Sequence, residues 1–145
     1  MAPIIGEGAF VLTNFPFGPP NRPNVPGPSP HITYCLGFQN SDRGPLLMLA
    51  YTSSGRWRPS DRGLPFGVIQ FDHDAARALN QVPFHLDLRV LAWVPESLEW
   101  LPRLDTPDHG IIASADRKLR ERIAELAIQM ARRRPEAIEI RGLVR

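Results

Sequence analysis

Cys35 is the one cysteine in 145 residues, so no intramolecular disulfide can brace the chain. It lies inside an apolar run, where a small buried thiol is the ordinary role, and a reducing compartment fits. No stretch approaches the roughly 18 uninterrupted apolar residues of a membrane span. The opening MAPIIGEGAF lacks a basic region followed by a long apolar segment. The expectation is a cytoplasmic protein without a membrane partner. Metal signatures are missing too: His31, His73, His85 and His109 are scattered, no second cysteine exists, and no H-E-x-x-H occurs. The DHD at 72–74 gathers ligand types, but at consecutive positions beside a helix start capping explains it better. No metal and no cofactor are expected. The absence of G-x-x-x-x-G-K-[ST], of G-x-G-x-x-G and of G-x-S-x-G argues against phosphate-cradling loops and an acyl-transfer serine elbow. Excess charge is small, at +2 with a pI near 9.2, and does not by itself predict a nucleic-acid partner.

What is present is an ordinary soluble composition, 43% hydrophobic and 22% charged, in a length that suits one domain over 1–145. GAFVLTNFPF (8–17) alternates apolar and polar residues and reads as a strand ending at Pro16. Residues 18–30 carry Pro19, Pro20, Pro23, Pro26, Pro28 and Pro30, which excludes helix or central strand and predicts a stiff loop. HITYCLGF and PLLMLAYTSS are apolar strands joined by the turn-rich QNSDRG. LPFGVIQF (64–71) reads as a strand bent at Gly67, and DHDAARALNQ as a short helix capped by Asp72. FHLDLRVLAWVP (84–95) puts Phe84, Leu86, Leu88 and Val90 on one face at period two. PESLEW suits one helical turn.

Helix signals are clearest over about 115–134, behind Ser114. Leu119, Ile123, Leu126 and Met130 draw an apolar stripe, Pro135 stops it, and the packing role outweighs any cofactor role. The tail 135–145 reads either as an edge strand or as a frayed end. The sum is about five strands in a small, curled, mostly antiparallel sheet capped by a helix.

Two arginine clusters stand out. Arg132, Arg133 and Arg134 complement a helix C-terminus. Arg56 and Arg58 flank Trp57 in SSGRWRPSDRG, pairing cations with an aromatic face, and have no such structural reason. Three polar segments therefore carry what chemistry there is: the proline-rich loop ending at His31, the strand end YTSSG, and the RWR beyond it. Metal-free RNA cleavage needs a base for the 2′-OH, an acid for the leaving 5′-oxygen, and donors or cations for the phosphoryl oxygens. Histidine, titrating near 6.5 when unperturbed, can shuttle either proton. Each candidate has an ordinary alternative: a loop carbonyl for His31, local turn bonds for Thr52 and Ser53, core packing for Trp57, Trp93 and Trp100, and solvation for Arg56 and Arg58.

The order GAFVLTNFPF, PNRPNVPGPSPHITYCLGF, LLMLAYTSS, DLRVLAWVP resembles the PemK/MazF family of toxin endoribonucleases across roughly residues 8–130. The resemblance implies a mainly β fold, an SH3-like small barrel of antiparallel strands with a long C-terminal helix. It also implies a homodimer that cuts single-stranded RNA without metal and is silenced by a cognate antitoxin protein. In that family the P-G-P loop is followed by a catalytic arginine and a proline; here His31 and Ile32 occupy those positions. A histidine keeps positive charge only when protonated and lacks the bidentate guanidinium fork. The family's hydroxyl at the strand end falls on Thr52 or Ser53. The resulting expectation is His31, Thr52 and Ser53 as catalytic residues and Arg22, Arg56, Trp57 and Arg58 as the RNA-binding rim, Arg22, Arg56 and Arg58 being assigned by no motif. The substituted arginine keeps an alternative open: the same barrel as a catalytically weakened or inactive module that binds RNA or a protein.

Overall fold

In a computed structural model of the chain, residues 2–16, 25–54 and 63–141 are described. Seven strands and two helices follow in the order β1 (Ala9–Thr13), β2 (His31–Ser41), β3 (Gly44–Ser54), β4 (Val68–Phe71), α1 (His73–Arg77), β5 (Phe84–Pro95), β6 (Ile111–Ser114), α2 (Arg117–Arg133) and β7 (Glu139–Arg141). They build one sheet in the order β4-β5-β3-β2-β1-β6, with β7 lying beside β5. All pairings are antiparallel except that of β7, which runs parallel to β5 at Val90–Ala92. Its end strands, β4 and β6, do not pair with each other among the described residues, so the mainly β architecture is established as an open sheet with helices and not as a closed barrel.

Seven strands exceed the expected five because β6 and β7 were not legible as strands with certainty. β6 is four residues, IIAS, three of them half-buried and Ser114 exposed, and β7 only three. Both are held by partners distant in sequence rather than by local pattern. The central hairpin extends further than expected: β2 runs on through Gln39, Asn40 and Ser41, leaving Asp42 and Arg43 as the turn. The Ser41 hydroxyl donates to the Gly44 carbonyl at 2.7 Å, and Gly44 takes φ +101°, which favours glycine. The expected strand over 64–71 begins only at Val68. Gly67 sits at φ +97° immediately before it, and a Cβ there would fall 2.7 Å from the Met130 sulfur.

Alternation divides the sheet into two apolar faces. Phe10, Tyr34, Ala50, Ile69, Phe71, Phe84, Leu86 and Leu88 share the first with Ile123 of α2. Phe71 and Phe84 stack there at 4.5 Å, and Phe10 meets the Tyr34 ring edge-on at 5.0 Å. Val11, Cys35, Leu47, Leu49, Ala92 and Val94 share the second with Ile5, Phe15, Trp100 and Leu101. The expected stripe of α2 is the face that packs: Ile123 and Met130 are buried, with Leu119 and Leu126 half-buried against the first cluster. Its cap is Asp116, the carboxylate accepting from the Leu119 N–H at 2.8 Å. Among the described residues no helix is long and apolar enough to cross a membrane.

Bulges reassign one expected face. On β5 the pairing steps from Ala50↔Leu91 to Tyr51↔Asp87, so three residues, Leu88, Arg89 and Val90, oppose no residue of β3. At that point β5 exchanges one outer neighbour, β4, for another, β7. Phe84, Leu86 and Leu88 keep to the first cluster as expected, but Val90 is turned against the second.

Candidate functional site

One end of the sheet gathers the polar residues of the second face. The C-terminal ends of β1, β3 and β4 meet the N-terminal ends of β2 and β5 there. His31, the first residue of β2, pairs with Thr13 across β1. Ser53 pairs with His85 across β5, and His85 pairs in turn with Gln70 on β4. The last assigned β2–β3 pair is Thr33↔Tyr51; two residues further along the same register, Ser53 lies level with His31. Directly opposed residues of neighbouring strands share a face. Gln70, His85, Ser53, His31 and Thr13 therefore form a single row across five strands. His31, Ser53, His85 and Gln70 are half-buried, whereas Thr13 is fully buried.

Thr52 does not belong to that row. It pairs with Leu86 of the first cluster, which puts it on the opposite face from Ser53. Its hydroxyl is used within the sheet, donating to the Ile32 carbonyl at 2.6 Å. The expected trio is thus divided: His31 and Ser53 come together, and Thr52 braces the β2–β3 ladder from behind. The two-residue period of a strand sends these adjacent side chains to opposite faces.

The next row inward is Val68, Asp87, Tyr51, Thr33 and Val11. Thr33 closes it on the β1 side, its hydroxyl lying 3.2 Å from both the Val11 carbonyl and the Thr13 hydroxyl. Tyr51 packs its ring 5.7 Å from that of Phe15. Asp87 is buried at 5% exposure and accepts from Arg89 three times: from the backbone N–H at 3.0 Å, from Nε at 2.9 Å and from Nη2 at 2.8 Å. This pair spans the bulge of β5, and the hydrogen bond to Asp87 holds the Arg89 guanidinium even more firmly protonated than usual. On the far side of Asp87, the Gln70 amide donates to the Phe84 carbonyl at 3.0 Å and ties β4 to β5 beside His85.

His31 is marked in the sequence by its place directly after the proline-rich loop. His85, Gln70, Asp87 and Arg89 were missed as site residues. The signal that could have found them is strand alternation in FHLDLR, whose polar members His85, Asp87 and Arg89 repeat at every second position opposite the apolar Phe84, Leu86 and Leu88. Arg22, Arg56, Trp57 and Arg58, expected as the RNA-binding rim, lie outside the described residues. Among the described residues no three His, Cys, Asp or Glu side chains gather as a metal site. Cys35 is not part of the row: it is fully buried, its thiol contacts the Gly37 carbonyl at 3.5 Å, and burial pushes its pKa up to about 11. Chemically, the row offers imidazole groups capable of proton transfer, a serine hydroxyl between them as a hydrogen-bond donor, and a guanidinium nearby fixed by a carboxylate. No family model, curated protein or solved structure matches the chain.

Proposed function

We propose that this protein is an endoribonuclease of the toxin type that cuts single-stranded RNA without a metal ion. Its long, bulged central strands and C-terminal helix support an SH3-like, PemK/MazF-like arrangement, with action in the cytoplasm, a homodimer and an antitoxin partner following from the same resemblance. What carries the reading is the β2–β3 register, which, continued two residues past Thr33↔Tyr51, brings His31 and Ser53 to the same end of the second face. In this reading the 2′-hydroxyl attacks the adjacent phosphorus and its proton passes to an imidazole. The 5′-oxygen leaves with a proton, yielding a 2′,3′-cyclic phosphate and a 5′-hydroxyl. The Ser53 hydroxyl donates to a phosphoryl oxygen as charge builds on it. Arg56, Trp57 and Arg58 follow Ser54 in the chain and supply cations and a stacking surface for RNA.

Two observations favour a second reading, a module of the same fold that binds RNA or a protein without cutting it: His31 replaces the family arginine, and Thr52 is on the other face. One experiment separates the two. Purified protein is incubated with mixed-sequence single-stranded RNA in excess chelator, and the new ends are identified. Cleavage leaving cyclic phosphates, abolished in His31→Ala with an unchanged unfolding midpoint, supports the nuclease. Intact RNA that is nonetheless retained by the protein supports the binding module and removes the enzyme reading.

A further inference from the structure

We propose that His85 is a second proton-transfer residue of this site, working with His31 across Ser53 so that base and acid are different side chains. The inference rests on the nuclease reading above and extends it to a residue on another strand. His85 is the direct cross-strand partner of Ser53 on β5, and the β2–β3 register continued two residues past Thr33↔Tyr51 sets His31 on the other side of Ser53. The two histidines therefore flank one hydroxyl from opposite sides of the same face, two strand spacings apart, or roughly 10 Å between Cα atoms. That separation lets two imidazoles lean inward on a phosphodiester seated over Ser53, and both side chains are half-buried rather than sealed in the core.

Cyclising cleavage moves two protons at two places. One leaves the 2′-oxygen as the O–P bond forms, and one reaches the 5′-oxygen as its bond to phosphorus breaks. A single imidazole must serve both positions, whereas a neutral ring and a protonated ring on either side serve them at once. The atoms balance without a co-reactant: the first ring ends protonated and the second neutral, and solvent resets both. Charged and titratable groups that adjoin the pair among the described residues are Asp87 and Arg89 on β5, Tyr51 on β3 and Asp72 beyond the end of β4. Asp87 and Arg89 neutralise each other at 2.8 Å. The row itself thus contains two imidazole rings and no carboxylate. A purely architectural His85, filling space beside the Gln70 amide, predicts a different response to substitution.

The test follows kcat/KM for single-stranded RNA in chelator from pH 5 to 9, for wild type, His85→Gln, His85→Asn and His85→Ala. The expected wild-type profile is bell-shaped. Each substitution lowers kcat/KM by roughly 10²–10⁴-fold and removes one limb of the bell. Each variant's unfolding midpoint is measured alongside, and added imidazole restores part of the lost rate in His85→Ala. A wild type that cuts while His85→Gln retains both limbs and within threefold of the rate overturns the role of His85 and leaves the nuclease reading standing. A wild type that cuts no RNA overturns both.

Discussion

At the scale of single residues, the site turns on which of two adjacent hydroxyls faces the histidines. Thr52 and Ser53 are neighbours in sequence, yet pairing with Leu86 and His85 respectively puts them on opposite faces of β3. Thr52 is 6% exposed, and its 2.6 Å bond to the Ile32 carbonyl satisfies a backbone acceptor where β2 begins. Replacing it by valine keeps the shape but removes that donor, at a cost of roughly 1–2 kcal/mol. Ser53→Ala removes a half-buried hydroxyl next to both imidazoles and costs less than about 0.5 kcal/mol. The expected outcome is a crossing of effects. Thr52→Val lowers the urea midpoint and leaves RNA cleavage intact well below it, while Ser53→Ala leaves the midpoint and lowers cleavage tenfold or more. Equal loss of cleavage in both would mean that Thr52 reaches the substrate through a rearranged strand.

At the scale of elements, α2 shows how one local feature stabilises the sheet without touching the site. Its Asp116 carboxylate satisfies the Leu119 N–H, one of the donors that the first helical turn leaves open. The helix then lays Ile123, with Leu119 and Leu126, on the first face, opposite the row of His31, Ser53 and His85. Asp116→Ala should therefore cost about 1 kcal/mol, lower the melting temperature by roughly 2–8 °C, and leave cleavage at low temperature unchanged. Differential scanning calorimetry paired with the RNA assay checks both halves. The stripe that makes this helix was plain in the sequence because Leu119, Ile123, Leu126 and Met130 repeat locally at helical spacing. β2, β3 and β5 were equally plain as runs of apolar and β-branched residues. What escaped was set by long-range pairing: β6 and β7 are too short to declare themselves, and three residues of β5 without a β3 partner turn Val90 from one face to the other. The site shared that fate. His31 could be picked out from the loop before it, but its company of Ser53 and His85 is a product of register between strands far apart in the chain.

At the scale of the whole molecule, two buried acids on β2 tie stability to alkaline pH. Tyr34 and Cys35 are adjacent, so they point to opposite faces, one into each apolar cluster, and each is 1% exposed or less. Burial raises the Cys35 thiol from 9.0 to about 11 and moves the Tyr34 phenol upward from its ordinary value of 10.0, with Glu7 adding to both. A raised pKa in an acid means that the folded chain holds its proton where the unfolded chain has released it. The stability this contributes is complete below about pH 9, where both states are protonated. It is lost as pH rises through about 9 to 11, by an amount on the order of 2–3 kcal/mol for the thiol alone. Few other basic groups confuse the measurement, since Lys118 is the one lysine and the arginines stay charged. Urea midpoints measured from pH 7 to 11 should be flat to about 9 and then fall. In Cys35→Ala the fall should be shallower, although the starting midpoint is lower because a buried side chain has been truncated. A fall of the same steepness in that variant would place the alkaline sensitivity in Tyr34 alone, and the absence of any fall would show that neither acid is sealed within the two faces as described.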